Sequence, residues 1–137
     1  MRLVFVALTA LWMVGVASAA SSQQKGPEPA VDPAVVAALL EEGATLFGSD
    51  CAACHAAEGG EGIGPSMTNN AALNSKDHVI RQILEGMPAK GMPPFAANYT
   101  DRKVAAVATF IRGSFENAYG PIAEAEVKRV RDETIKK

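Results

Sequence analysis

Residues Cys51-Ala52-Ala53-Cys54-His55 restrict this chain more than any other stretch of it. Two thiols separated by two residues, followed directly by an imidazole, form the pattern of covalent haem attachment. The gap lets both sulfurs reach the two vinyl groups on one porphyrin edge as thioethers. The adjacent His55 then lies under the iron and can donate a ring nitrogen. A thioredoxin-like dithiol would want a βαβ setting, and no convincing strand is legible. A structural zinc site needs four ligands. The chain holds two Cys and two His, and His78 falls on a separate helical stretch without zinc-finger spacing.

The start of the chain fits an exported haem protein. Met1-Arg2 is a short basic opening, Leu3 to Val16 is almost wholly apolar, and Ala17-Ser18-Ala19 offers a small-x-small cleavage site. Residues 1–19 therefore read as a secretory signal, and a periplasmic location is expected. Retained as an anchor, the run from Leu3 to Ala20 would only just be long enough to cross a bilayer. Thr9, Gly15 and the Ala-Ser-Ala site favour cleavage, and no stable membrane insertion is expected once the signal is gone. The full chain carries 13 Lys and Arg against 15 Asp and Glu. Cleavage removes Arg2 and deepens the acidic balance. Nucleic acid is excluded as a partner on that ground, since phosphate neutralisation needs a basic surface.

Residues 20–33, rich in Ser, Gln, Gly and Pro, read as a flexible leader. Asp32-Pro33 then resembles a helix N-cap followed by proline at the first helical position. The apolar residues Val35, Val36, Leu39, Leu40, Leu46 and Phe47 predict a helix over 34–48, interrupted by Gly43. Gly59, Gly60, Gly62, Gly64 and Pro65 mark a loop. Ser75 caps a predicted helix over 76–86, and residues 86–98 form a second loop rich in Gly, Pro and Met. Thr100 caps a helix over 101–114, with Val104, Val107, Ala108 and Ile111 on one face. A charged helix is expected over 122–135. The fold class is all-α, with a domain over 34–120 and a C-terminal helical extension over 121–137.

A haem that only exchanges electrons wants a second protein ligand on its iron. Met92 is favoured. It sits in Gly91-Met92-Pro93-Pro94-Phe95, stiffened by two prolines, and far enough beyond His55 to reach the other side of the ring. Met87, which precedes Pro88, is its nearest rival. Behind these two stand Met67, His78 and a sixth position with no protein ligand.

These residues together resemble the class I cytochromes c. The likeness is nearest to small bacterial periplasmic monohaem proteins and to the haem domains of alcohol and sugar dehydrogenase cytochrome subunits. It runs from Gly43 to Arg112 through Gly43-Ala44-Thr45-Leu46-Phe47, Cys51 to His55, Gly62-Ile63-Gly64-Pro65-Ser66, Met92-Pro93-Pro94-Phe95 and Tyr99-Thr100-Asp101. The tail from Phe115-Glu116-Asn117 to Val127 and Arg131 is also similar to those haem domains. The resemblance implies three core helices wrapped around one haem c, with an extra helix at the C-terminus. It implies a close crossing of the first and last core helices at Gly43, Phe47 and Phe110. Pro65 is the implied carbonyl partner of the proximal His55. Ile63, Met67, Ile83, Leu84, Phe95 and Ile111 are implied to line the pocket, and Tyr99 and Arg81 are candidate partners of the haem carboxylates. The family usually carries an aromatic, often Trp, near the haem. The only tryptophan here is Trp12, inside the predicted signal, so the pocket relies on Phe, Tyr and aliphatic side chains.

The expectation is electron transfer by one haem c held through Cys51 and Cys54, with His55 and Met92 on the iron. Electrons would come from a dehydrogenase and go to an oxidase or another cytochrome. Ala52, Ala53, Gly86, Ala89, Gly91 and Pro94 would surround the haem edge as a small docking patch. A fixed subunit of a dehydrogenase or oxidase complex is the alternative. A haem-based ligand sensor would need an open or easily displaced sixth site. Acid-acetone extraction of the purified protein should leave the colour with the polypeptide, and haem passing into the organic phase would refute covalent attachment.

Overall fold

The computed structural model describes residues 31–135, and the predicted signal with most of the leader lies outside the described residues. Among the described residues there are five α-helices: α1 (Pro33–Asp50), α2 (Ala52–His55), α3 (Lys76–Glu85), α4 (Asp101–Gly113) and α5 (Glu124–Ile135). Two short 3-10 turns, Ala71–Asn74 and Pro88–Lys90, lie in the loops on either side of α3. The only β pairing among the described residues is an isolated bridge between Met87 and Met92, so the all-α expectation holds. No described helix is long and apolar enough to cross a membrane.

The helix starts follow from local chemistry. The first N–H groups of a helix lack partners inside it, and here side chains supply them. Asp32 accepts from Ala34 N–H at 2.7 Å with Pro33 at the first position. Ser75 accepts from His78 N–H at 3.4 Å and Thr100 from Lys103 N–H at 3.3 Å. Gly86, at φ +64°, follows the last residue of α3. The 3-10 turn at 71–74 is capped by Asn70, a local signal embedded in what reads as featureless loop.

The core is organised by α1 crossing α4. At the crossing Gly43 has no side chain, and a Cβ built there would stand 2.2 Å from the Ala106 carbonyl oxygen and 2.6 Å from Phe110 Cβ. Phe47, one turn on, packs against Phe110 and Phe115 with ring centroids 5.6 and 5.0 Å apart. Val104 to Ala108 are all buried, as are Val79, Ile80 and Leu84 of α3. The α5 helix joins this core through Val127 and Val130, both fully buried, preceded by Ile122. Ion pairs frame its seat: Arg81 to Glu133, Arg129 to Asp77, and Lys76 to Glu126. The Glu133 carboxyl is held below its usual range by the Arg129 guanidinium and then by Arg81.

Arg112, buried at the end of α4, donates to the carbonyls of Leu73, Asn74 and Gly120 and lies over the Tyr119 ring. It thereby ties the 71–74 turn to the segment that leads into α5. Gly43→Ala should cost about 2–3 kcal/mol, because a backbone oxygen cannot yield to the new methyl. Gly48→Ala, on the same helix with open space around it, should be neutral or stabilising by up to about 1 kcal/mol through helix propensity. Chemical denaturation of the two variants checks both values, and equal stability would refute the crossing as drawn.

Candidate functional site

A cavity opens between α1, α3, α4 and the loop before α4. Its lining includes Cys51, His55, Met67, Ile83, Met92 and Phe95, with Phe47, Tyr99, Val107 and Ile111 completing the wall. The aliphatic and aromatic side chains exclude water, so any polar donor exposed there acts in a low-dielectric setting. Three of the sequence-predicted site residues, Cys51, His55 and Met92, thus meet at one cavity from separate segments. Cys54 is half-buried and absent from the lining. Its carbonyl accepts from Gly64 N–H at 2.8 Å. Both thiols are free. Burial, then Asp50, then Cys54 push the Cys51 thiol up to about 11, which keeps it as the neutral S–H at neutral pH.

His55 closes α2 and is buried. Its Nδ1 lies 3.0 Å from the Pro65 carbonyl oxygen. A carbonyl can only accept, so Nδ1 is the donor and Nε2 is the ring nitrogen left to face a ligand. The ring's seat is shaped by glycine. A Cβ at Gly64 would stand 2.5 Å from His55 Cε1, and one at Gly62 would stand 2.4 Å from the Cys54 carbonyl oxygen. The 62–64 turn therefore lies flat against the Cys-x-x-Cys-His helix. Ile63, between the two glycines, is 86% exposed and is not part of the cavity lining. Leu84 is buried in the core but likewise not on the cavity wall.

Met92 is presented by a tight turn. Met87 and Met92 exchange both backbone hydrogen bonds, Met87 N–H to Met92 O at 2.9 Å and Met92 N–H to Met87 O at 3.2 Å. Gly91 sits at φ +84° inside the turn, and a Cβ at Gly86 would collide with Met92 and Pro93 backbone. The two methionines thereby diverge: Met92 lines the cavity, while Met87 is exposed outside it. Met67 also reaches the cavity. His78 is exposed on α3, beside Ala71, Ala72 and Ser75.

Tyr99 is buried and donates its phenol O–H to Asp50 Oδ2 at 2.5 Å. Burial and then the Asp50 carboxylate raise its pKa above the ordinary tyrosine value. Arg81 is turned away from the cavity toward Glu133 of α5. Sequence reasoning missed Asn117, whose amide donates to the carbonyls of Met67 and Ile111 and accepts from Asn70 N–H. That side chain fastens the loop carrying Met67 to the end of α4. A single Asn in a loop carries no periodic signal that would reveal it.

The donor set suits a c-type haem: an apolar slot, two free thiols, one imidazole held through Nδ1 by Pro65, and a thioether. Comparison with known proteins agrees. The profile of a family described as cytochrome C oxidase, cbb3-type, subunit III matches residues 38–111. The cytochrome c6 of Thermosynechococcus vestitus is 36% identical over 84 residues, covering 58% of this chain and 73% of that protein. The cytochrome c6 of Parathermosynechococcus lividus is 35% identical over 77 residues, covering 53% and 86%. A nicotinate dehydrogenase subunit of Pseudomonas putida is 33% identical over 87 residues, covering 56% of this chain and 7% of that much longer protein.

Gly64→Ala should displace the His55 ring from Pro65 and cut the yield of haem-bearing protein several-fold. Gly60→Ala, with nothing near its Cβ, should leave the yield unchanged. The ratio of Soret to protein absorbance in matched preparations reads the difference. Equal ratios would show that Gly64 does not shape the seat.

Proposed function

The chain belongs to the class I c-type cytochromes, a family of electron carriers rather than enzymes, and from this we propose that it carries single electrons between redox proteins of the periplasm. The observation that supports it most directly is the meeting of His55, held through Nδ1 by Pro65, and Met92 in one apolar cavity whose wall includes Cys51. Cys51 and Cys54 would hold one haem c by thioether bonds, and His55 and Met92 would supply the protein ligands to its iron. When bound, the haem iron supplies reversible one-electron exchange between Fe(III) and Fe(II).

The chain's own residues do the rest. The Pro65 carbonyl keeps His55 in one tautomer and one orientation, and raises the basicity of Nε2. Phe47, Ile83, Phe95, Val107 and Ile111 exclude water. The soft Met92 sulfur favours the reduced state and so raises the potential. Ala53, Ala89, Gly91 and Pro94 are exposed, and with Ile63 they supply a weakly polar surface suited to brief docking. A dehydrogenase is the proposed donor, and an oxidase or a second cytochrome the acceptor. Export rests on the basic opening, apolar run and Ala-Ser-Ala site of residues 1–19.

The likeness to a dehydrogenase subunit favours a second reading, a fixed haem subunit of a larger complex. Co-purification with a dehydrogenase at constant stoichiometry selects it, and recovery as a free monomer selects the shuttle.

Oxidised protein should show the weak far-red charge-transfer band of thioether ligation. Met92→Ala should abolish the band, keep the haem attached, and lower the reduction potential by on the order of 100–300 mV, within the ~0.8 V that axial ligands command. Met87→Ala should do neither. A native protein without the band that binds carbon monoxide rapidly when reduced would favour a ligand sensor instead.

A further inference from the structure

Between Met92 and α4 the chain runs through residues 93–100 as irregular backbone. One side of this segment is held by α3, where Phe95 N–H donates to Ile83 O at 3.1 Å and Ala96 N–H to Leu84 O at 3.2 Å. The other side is held by one side chain of α5. Arg131 Nη1 donates to Ala96 O at 2.8 Å, Nη2 to Tyr99 O at 2.7 Å, and Nε to Asp101 Oδ1 at 2.7 Å. The guanidinium is a rigid fork with donors in fixed directions, so it sets the spacing of Ala96, Tyr99 and the first turn of α4 together. Its side chain is only 18% exposed, and Val127 and Val130, both fully buried on the same helix, fix its base.

The clamped segment has Met92, Phe95 and Tyr99 on the cavity wall. Arg131 is not itself part of the cavity lining and reaches the wall through the Tyr99 carbonyl. It also lies beyond residue 111, where the family match ends, so the clamp comes from a part of the chain outside the matched domain. We infer that Arg131 is a positioning residue for Met92, holding the 93–99 segment in the register that presents the thioether to the cavity. The inference rests on Met92 being an iron ligand. With the clamp in place the segment has α3 on one side and α5 on the other. Without it, the α3 contacts and the Tyr99–Asp50 hydrogen bond remain but the carbonyls of Ala96 and Tyr99 lose their shared donor, and the thioether spends a larger fraction of time withdrawn. An external base then binds with an apparent affinity that rises in proportion to that fraction.

The test is a titration of the oxidised, haem-bearing full chain with imidazole, following loss of the far-red band. Arg131→Ala should bind imidazole about tenfold more tightly than the parent, and Arg131→Lys should fall between, since an ammonium holds fewer of the three acceptors at once. Leu39→Ala is the structural control. Leu39 is buried on α1, away from α5 and off the cavity wall, so the variant lowers the unfolding midpoint but should leave imidazole affinity within about twofold, because that side chain neither joins nor supports the clamp. Should Arg131→Ala fail to yield folded protein, Asp101→Asn removes the carboxylate that orients the fork and should raise the affinity about threefold. Unchanged affinity in Arg131→Ala, or in Asp101→Asn where that variant stands in, overturns the positioning role. A parent protein that lacks the band overturns the Met92 reading and this inference together, whereas a parent that shows the band, with an imidazole affinity unchanged by Arg131→Ala, overturns the inference alone.

Discussion

The close crossing of α1 and α4 at Gly43 is the contact on which the cavity depends. With a glycine there, the α1 backbone can come within reach of the Ala106 carbonyl, and Phe47 on one helix and Val107 and Ile111 on the other then become parts of one wall. The same crossing aims the end of α1 so that Cys51 and α2 begin at the mouth of the slot. A side chain at position 43 would separate the helices, and interiors packed to crystal-like density do not absorb such a separation locally.

Everything else around the slot is irregular backbone made rigid by neighbours. The 62–65 turn is pressed against α2 by two glycines and receives the His55 N–H through Pro65. The loop bearing Met67 is fastened by Asn117. The Met92 turn is closed by its own bridge with Met87. In each case a loop that reaches the cavity is fixed by hydrogen bonds to elements behind it, so donor atoms on loops gain the precision expected of atoms on helices. Met67 and Met92 both depend on groups that come after α4 or at its end, which gives the C-terminal part of the chain a role in the site without touching it.

The helices were legible because their signals are local. Asp32-Pro33, Ser75 and Thr100 announced starts that the structure places within one residue, and Val104, Val107, Ala108 and Ile111 announced the buried face of α4. The Cys-x-x-Cys-His pattern announced its chemistry for the same reason, since all its parts sit in five consecutive residues. What stayed hidden depends on distance in sequence. Asn117, Arg112 and Arg131 bond to carbonyls 6 to 50 residues away, and a carbonyl acceptor leaves no trace in residue type. Ile63 is apolar yet exposed. The glycines on either side take the inner position, and the residue between them is left outside.

The order of elements along the chain also constrains when the site can close. Cys51 to His55 lie near the start of the described fold, whereas α4 supplies a wall of the slot and α5 seats the helices behind it only much later in the chain. A chain emerging from its N-terminus therefore exposes both thiols and the imidazole while half of their enclosure has yet to appear. The contact between α1 and α4 joins residues 63 apart, Gly43 with Ala106 and Phe47 with Phe110, so its closure carries the entropy of a long loop and follows the local helices rather than leading them. The attachment residues pass through a stage in which they are accessible from every side, and the finished fold is what removes that access.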